Sequence, residues 1–109
     1  MTRIWYQVRD LERARAFYTD KLGFTETEMA DGWAELERGA MRIALAEGTP
    51  DPGGPVASID VEDVKREAEQ LRSEEVEVGT VLELHDEVRV VDVYDPDGNR
   101  LQLVEQLRV

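Results

Sequence analysis

The stretch that decides the fold is Asp95-Pro96-Asp97-Gly98-Asn99-Arg100-Leu101-Gln102-Leu103-Val104-Glu105. Its first four residues, with aspartate first, proline second and glycine fourth, are typical of a type I turn. The residues after the turn alternate, because Leu101 and Leu103 fall on one face of a strand and Gln102 and Val104 on the other. The sequence therefore predicts a tight turn that leads directly into a strand with one apolar face.

Composition restricts the class of protein. A chain of 109 residues is long enough for one domain with its own core. It has no cysteine, which excludes disulfides, zinc–thiolate sites and a thiol nucleophile. Its formal net charge of -12 argues against nucleic acid as a partner, because phosphates are repelled. The first residues enter a strand pattern at once and no apolar run approaches the roughly 18 residues that span a bilayer, so we expect a cytoplasmic protein without a leader or membrane segment.

The chain contains two copies of one layout. Val8-Arg9-Asp10-Leu11-Glu12-Arg13 corresponds to Val61-Glu62-Asp63-Val64-Lys65-Arg66, about half a chain later. In each copy a short strand ends at valine, and the aspartate that follows is a predicted helix N-cap, where its carboxylate accepts from free backbone amides. Helices are predicted at about residues 11–22, which end at Gly23, and at about residues 64–72.

Three strand signals follow each predicted helix. In the first half they cover residues 24–29, 33–37 and 41–46, with turns at Asp31-Gly32 and Arg38-Gly39. In the second half they cover residues 76–78 with a continuation near 81–84, then 88–94 and 101–105. The proline- and glycine-rich residues 48–55 form a linker. The sequence thus predicts a single α+β domain of two tandem βαβββ modules, residues 1–47 and 56–109.

These motifs together resemble the vicinal oxygen chelate superfamily, which includes glyoxalase I, bleomycin resistance proteins and extradiol dioxygenases. The resemblance is carried by residues 8–18 (VRDLERARAFY), by Leu22-Gly23-Phe24 and by Asp95 to Val104, and with the repeat it covers essentially the whole chain. It implies a concave, partly closed sheet with the helices on the convex face. It implies much less about activity, because one fold hosts several chemistries.

Strand alternation predicts which side chains face the helices. That face is apolar in all six strands that can be read: Ile4, Tyr6 and Val8; Ala34 and Leu36; Met41, Ile43 and Leu45; Ala57, Ile59 and Val61; Val91 and Val93; Leu101 and Leu103. A register slip of one residue would reverse each set, so the agreement is informative. The opposite face, which is concave in the resembled fold, contains the candidate ligand-binding residues: Arg3, Trp5, Gln7, Trp33, Glu35, Arg42, Ser58, Asp60, Asp92, Tyr94 and Gln102.

Two groups on this concave face have alternative interpretations. The two tryptophans either pack as a plug or a dimer interface, or form the walls of a site for a planar ligand. Arg3 and Arg42 either clamp a carboxylate or phosphate of a ligand, pair with Glu35, Asp60 or Asp92 across the sheet, or are solvated at the rim. Sequence alone does not choose between them.

The resemblance also bears on metal binding. In the resembled enzymes, His and Glu ligands from the first, fourth, fifth and eighth strands hold a metal that acts as a Lewis acid. The resemblance places Arg3, Ala44, Val56 and Gln102 at these positions, and of these only Gln102 offers an oxygen. Divalent ions there need imidazole and carboxylate donors. We therefore expect the family-type metal site to be absent and predict no cofactor.

Other catalytic candidates are few. His85 is the only histidine and lies in a predicted loop beside Asp86 and Glu87, where we expect it to be solvated rather than to bind metal or transfer protons. Glu35 and Asp60 would be candidate general bases if they were buried. No dinucleotide fingerprint or phosphate-cradling glycine loop is present.

Three functions remain open at this point. The leading hypothesis is a metal-free protein that binds a small planar or charged molecule on the concave sheet. The second is a lyase, isomerase or dioxygenase-type enzyme of the same superfamily with an atypical or absent metal site. The third is a protein-interaction module whose concave face binds another protein. The resemblance also implies a homodimer.

Overall fold

A computed structural model describes residues 2–51 and 53–107 as two copies of one βαβββ pattern. The first copy consists of β1 (Thr2–Val8), α1 (Leu11–Ala16), β2 (Thr25–Ala30), β3 (Trp33–Arg38) and β4 (Met41–Glu47). The second consists of β5 (Ala57–Asp60), α2 (Val64–Ser73), β6 (Leu82–Leu84), β7 (Val88–Tyr94) and β8 (Arg100–Gln106). The predicted α+β fold of two tandem modules is confirmed.

Each module folds into its own four-stranded sheet. The strand orders are β1-β4-β3-β2 and β5-β8-β7-β6. The first strand of each module lies parallel to the last, and the remaining pairs are antiparallel. Among the described residues no ladder joins the two sheets, so the concave surface consists of two adjoining sheets that are not closed into one.

Both helices begin as the repeated aspartates predict. An Oδ1 of Asp10 accepts from the Arg13 amide at 3.1 Å, and that of Asp63 accepts from the Arg66 amide at 3.0 Å. These N-caps satisfy amides that the first helical turn leaves free. After α1 the chain continues through a wider π-helical turn, Phe17–Lys21, which the sequence pattern did not indicate. The helical segment stops before Gly23, whose φ of 70° suits glycine.

The predicted core face is also confirmed. Its residues are buried, apart from three that are half-buried at strand ends, Ile4, Met41 and Val61. The helices cover them with the apolar stripes that their spacing predicts, including Leu11 and Ala14 from α1 and Val64, Ala68 and Leu71 from α2.

The strand predicted at residues 76–78 is wrong. Only Val78 forms a bridge, to Val93, and the strand itself lies at β6. The Val76 amide donates to the Leu71 carbonyl at 3.0 Å, so Val76 closes the C-terminal end of α2. The residues after it pair with β7 only at this one bridge, where the Tyr94 amide donates to the Glu77 carbonyl and the Gly79 amide to the Asp92 carbonyl. Glu75, with a φ of 65°, makes the reversal that brings Val76 into the core.

The turn at Asp95 forms as predicted and is held by a buried carboxylate. The Gly98 amide donates to the Asp95 carbonyl at 3.0 Å. The Asp95 side chain accepts from the amides of Asp97 and Asn99, both at 2.9 Å, through Oδ1. Because a carboxylate at the first turn position can bind the amides that follow it, the sequence alone sets this local geometry.

The same carboxylate joins the two ends of the chain. Its Oδ2 accepts from the Tyr18 hydroxyl and from Asn99 Nδ2, each at 2.9 Å. Asn99 Nδ2 also donates to the Gln7 carbonyl at 3.0 Å. Asp95 and Asn99 are both almost fully buried. The turn before β8 is therefore fixed to β1 and to the helical segment of the first module.

A single hydroxyl bridges the two sheets. Tyr6 on β1 donates to the Arg100 carbonyl at 2.6 Å and accepts from the Ala57 amide at 2.9 Å. These two backbone groups lie at the start of the paired strands β8 and β5, so the Tyr6 hydroxyl links β1 of the first sheet to two neighbouring strands of the second. Burial raises the pKa of Tyr6 to about 12, because the low-dielectric core disfavours the phenolate.

The hairpin between β6 and β7 has an unusual turn. His85 and Asp86 have φ values of 55° and 56°, and the Glu87 amide donates to the Leu84 carbonyl at 3.0 Å. A two-residue turn with positive φ at both positions matches the strand twist but favours Asn-Gly or Asp-Gly. The predicted loop is therefore a tight turn built from unfavourable residues.

Replacing Asp86 by glycine is expected to stabilise the protein. Glycine adopts positive φ without the steric cost of a Cβ, so Asp86→Gly should raise the free energy of unfolding by about 0.5–1 kcal/mol. Urea denaturation measures the change. Asp86→Ala, which keeps a Cβ at the same φ and loses the carboxylate, is the matched control and should be less stable than the parent. A glycine variant no more stable than the alanine variant would contradict this account of the turn.

Candidate functional site

The concave face of the first module is organised by strand register. Trp5, Ala44, Glu35 and Glu28 form one row across β1, β4, β3 and β2. Glu28 joins this row because a bulge shifts the register between Glu26 and Glu28. Cross-strand partners share a face of the sheet. These side chains therefore line the same surface as those of the rows two residues away along each strand.

Glu35 is the centre of an ion-pair cluster. It is 5 % exposed, and Arg3 Nη1 donates to its Oε2 at 2.8 Å. Arg42 Nε lies 3.7 Å from its other oxygen and donates to Glu37 at 2.9 Å. For both arginines, the structure therefore shows the alternative of pairing with acids of the sheet.

The two tryptophans lie beside this cluster. Trp5 is 49 % exposed and Trp33 is half-buried. Their ring centroids are 6.3 Å apart with an interplanar angle of 49°, so the rings form an open, tilted pair rather than a closed stack. The Arg3 guanidinium carbon lies 5.6 Å from the centroid of Trp5, within the range of a cation–π contact.

The concave face of the second module is polar at its centre. Ser58, Gln102 and Asp92 form one row across β5, β8 and β7. Gln102 Nε2 and Arg100 Nη1 each donate to an oxygen of Asp92 at 3.3 Å. Asp92 is thus paired with residues of its own sheet and not with Arg3 or Arg42.

The remaining candidates lie at the margins of these groups. Gln7 is exposed in the row of Trp33, Asp60 is exposed at the end of β5, and Tyr94 is half-buried at the end of β7. The structure brings Arg3, Trp5, Trp33, Glu35 and Arg42 together on the first sheet, and Ser58, Asp92 and Gln102 together on the second. Within the described ranges no side-chain hydrogen bond links the two groups.

Sequence reasoning missed several neighbours of these residues. They are Glu28 and Arg100, together with Leu82 and Leu84 on the exposed edge strand. Strand parity does place Glu37 on this face, although it was not among the candidate ligand-binding residues. Arg100 has the same parity as Gln102 and would have been found if the strand had been started one residue earlier. Glu28 could not be found by parity, because the bulge in β2 interrupts the alternation.

The four positions that the resemblance assigns to metal ligands do not fit a divalent ion. Arg3 is a cation bound to Glu35, Ala44 is buried and has no donor, and Val56 has none either. Gln102 has one neutral oxygen, and its amide nitrogen is bound to Asp92. A divalent ion needs several oxygen or imidazole donors. In the part of the chain that the structure describes, no three His, Asp or Glu side chains are grouped as metal ligands.

The candidate acids and bases also have clear positions. Glu35 is buried, and its carboxylate accepts a hydrogen bond from Arg3. Asp60 is exposed, and His85 is exposed in the hairpin turn. Neither Asp60 nor His85 therefore lies in the buried environment that a general base would need.

A cavity of about 660 Å³ lies away from the concave face, between α2 and the β6–β7 hairpin. The residues that line it, within the described part of the chain, are Asp63, Lys65, Arg66, Glu69, Arg72, Val81 and Arg89. Arg89 is paired with both Glu83 and Glu105, and none of the lining residues is aromatic. Because the cavity offers no aromatic surface, the concave face, with its open aromatic pair, is the better candidate site for a planar ligand.

Sequence comparison decides the family. Residues 1–103 match the profile of the Glyoxalase/Bleomycin resistance protein/Dioxygenase superfamily. The chain belongs to this superfamily. No curated protein sequence matches the chain, so the superfamily assignment is not narrowed to a single activity.

Solved structures of the superfamily share the fold along almost the whole chain. A glyoxalase family protein from Bacillus anthracis has 21% identity and a TM-score of 0.82, with 97% of this chain and 93% of that chain covered. An antibiotic binding protein from Streptomyces has 22% identity and a TM-score of 0.79, with 95% and 93% covered. A fosfomycin resistance protein from Listeria monocytogenes, in complex with Mn(II) and sulfate, has 18% identity and a TM-score of 0.81, with 97% and 89% covered. At these identities the likeness shows the superfamily fold.

The described helices are short. Within residues 2–51 and 53–107, none is long and apolar enough to cross a membrane.

Proposed function

We propose that this superfamily member binds a small organic molecule with a planar part on its concave face, and that it does so without the family-type metal. The observation that carries the proposal is the open pair of Trp5 and Trp33. Amphipathic aromatic side chains are favoured in small-molecule sites, where they contact flat ligands over a large area. An aromatic ring that is half exposed has such area available.

The charge arrangement supports binding rather than turnover. Glu35 and Asp92 each have arginine partners, so neither is a free base on the face that would hold the ligand. A structure with the same fold belongs to an antibiotic binding protein from Streptomyces, which supports a ligand-binding role. The metal-free part of the proposal is supported by the donor set at Arg3, Ala44, Val56 and Gln102.

Fluorescence titration tests the proposal directly, because the chain has two tryptophans and both lie on the proposed site. A panel of planar, cationic and carboxylate compounds is expected to contain members that change the emission and raise the melting temperature. Trp5→Leu should weaken their binding about tenfold, roughly 1.4 kcal/mol, with Trp33 as the remaining reporter. Chelation with EDTA should leave the affinities unchanged.

Two outcomes would contradict the proposal. If no compound changes either signal, the concave face is not a small-molecule site. If EDTA abolishes binding and elemental analysis finds stoichiometric metal in the purified protein, the metal-free part is wrong.

We also propose that the chain forms a homodimer. Leu82 and Leu84 are 53% and 44% exposed and lie together on β6, the edge strand of the second sheet. Exposed apolar side chains on an edge strand favour association. Light scattering would then give twice the chain mass of 12.4 kDa, and a monomer at micromolar concentration would contradict it.

A further inference from the structure

We propose that the ligand of the concave face carries a carboxylate beside its planar part, and that Arg3 binds this carboxylate. The inference rests on the proposed function, since it names the chemistry of a ligand for the same site. It is carried by the position and the unused hydrogen-bonding capacity of one guanidinium group.

Arg3 is held in place from one side only. Its Nη1 donates to the buried Glu35, and its guanidinium lies close to the ring of Trp5. A guanidinium has five N–H donors, and among the described residues Glu35 provides the only hydrogen-bond acceptor for them. The Arg3 side chain is 49% exposed. It therefore presents an ordered cation with free donors to the open part of the face.

A buried partner makes this arginine different from one on the surface. The Glu35 side chain is only 7% exposed, so it fixes one edge of the guanidinium before any ligand arrives. Ordering a long side chain is a large part of the cost of binding, and a site that is already ordered avoids this cost. The planar fork of arginine then matches the two oxygens of a carboxylate.

The other arginine of the cluster lacks this capacity. Arg42 directs both Nε and Nη2 to Glu37, and its Nε also lies near Glu35. Its donor edge is therefore occupied by acids of the protein. Arg3 alone combines a free donor edge with direct contact to a tryptophan, so the carboxylate and the ring of a ligand would be adjacent.

The competing chemistry is a cationic ligand. Glu28 lies in the same row of the sheet as Glu35, is exposed, and has no ion-pair partner within the described residues. If a ligand placed an ammonium group against Glu28, the site would prefer cationic ligands over carboxylates. The test must therefore compare both charges on one ring.

Calorimetric titration with 2-naphthoate, 2-naphthamide and 2-naphthylmethylammonium makes this comparison. We expect the carboxylate to bind about tenfold more tightly than the amide, as a charge-assisted hydrogen-bond pair provides. Arg3→Gln should remove this preference and leave the affinity for the amide within about twofold, because the amide depends on the ring alone. Arg66→Gln, the same change on the convex α2, should leave the preference intact.

Arg3→Lys is the second variant, in case Arg3→Gln leaves Glu35 uncompensated and unfolds the protein. It keeps the charge but not the planar fork, so it should retain only part of the preference. Equal affinities for carboxylate and amide, or tightest binding of the ammonium compound, would overturn the inference while leaving the proposed function intact. If none of the three compounds binds and the wider panel fails as well, the proposed function itself is wrong.

Discussion

Asp95→Ala is expected to lower the free energy of unfolding by about 3–5 kcal/mol, because it removes the acceptor of several buried donors at once. The Tyr18 hydroxyl and the amides of Asp97 and Asn99 each lose their partner in a region with almost no access to water. An unsatisfied buried donor costs about 1–3 kcal/mol, and the costs of neighbouring groups overlap. Since small domains are stable by only about 5–15 kcal/mol, this one change would remove a large fraction of the total.

Chemical denaturation with urea provides the measurement. Asp60→Ala is the matched control, because Asp60 is exposed and its side chain makes no hydrogen bond among the described residues. Its effect on the free energy of unfolding should stay within about 0.5 kcal/mol. Asp95→Asn keeps one acceptor oxygen, so its loss in free energy of unfolding should lie between those of Asp95→Ala and Asp60→Ala. A loss of less than about 1 kcal/mol in Asp95→Ala would show that water replaces the carboxylate, and that the turn is not fixed to the first module as described.

Tyr6→Phe is expected to cost about 2–3 kcal/mol, although the change removes a single oxygen. The hydroxyl satisfies one amide and one carbonyl at the junction of the two sheets, and phenylalanine leaves both unpaired in the core. The ring itself is retained, so the loss isolates the hydrogen bonds from the packing. Tyr94→Phe is the control, since the Tyr94 hydroxyl has no hydrogen-bond partner in the part of the chain that the structure describes.

The pH dependence of stability gives an independent measure of the same contact. The pKa of Tyr6 is raised to about 12 by burial, whereas a tyrosine of the unfolded chain ionises near 10. The unfolded chain therefore releases its proton first, so stability is complete below pH 10 and falls as the pH rises from 10 to 12. Tyr6→Phe should make this decline shallower. It should not abolish it, because burial also raises the pKa of Tyr18 well above its usual range. Identical alkaline slopes in the parent and the variant would contradict a buried, hydrogen-bonded Tyr6.

The sequence was sufficient for the architecture because its signals are local. The N-cap aspartates, the turn at Asp95 and the strict alternation of apolar residues each depend on neighbours a few positions away. The exceptions are places where a local rule is interrupted. The bulge in β2 moves Glu28 into the row of Glu35. The left-handed residue Glu75 turns Val76 into the core, so that residues 76–78 form only a single bridge to β7.

For the candidate site, the sequence could predict which face of the sheet holds it but not how its side chains contact one another. Parity placed both tryptophans and the charged residues on it, but parity carries no distances between strands. The structure pairs Arg3 with Glu35, and Asp92 with both Arg100 and Gln102. These pairings depend on side-chain rotamers and on cross-strand geometry, which residue spacing in the sequence does not encode. The charge preference of the site follows from these pairings and therefore had to come from the structure.

The contacts of Tyr6 and Asp95 have a consequence for the order in which the protein is made. Tyr6 and Tyr18 leave the ribosome early, but their partners at residues 95–100 follow only after most of the second module. At about 5–20 residues per second, the first module spends a time on the order of seconds with polar hydroxyls unpaired beside an uncovered sheet edge. An unpaired strand edge favours association with other chains, so this interval is the stage of synthesis at which we expect aggregation to compete with folding.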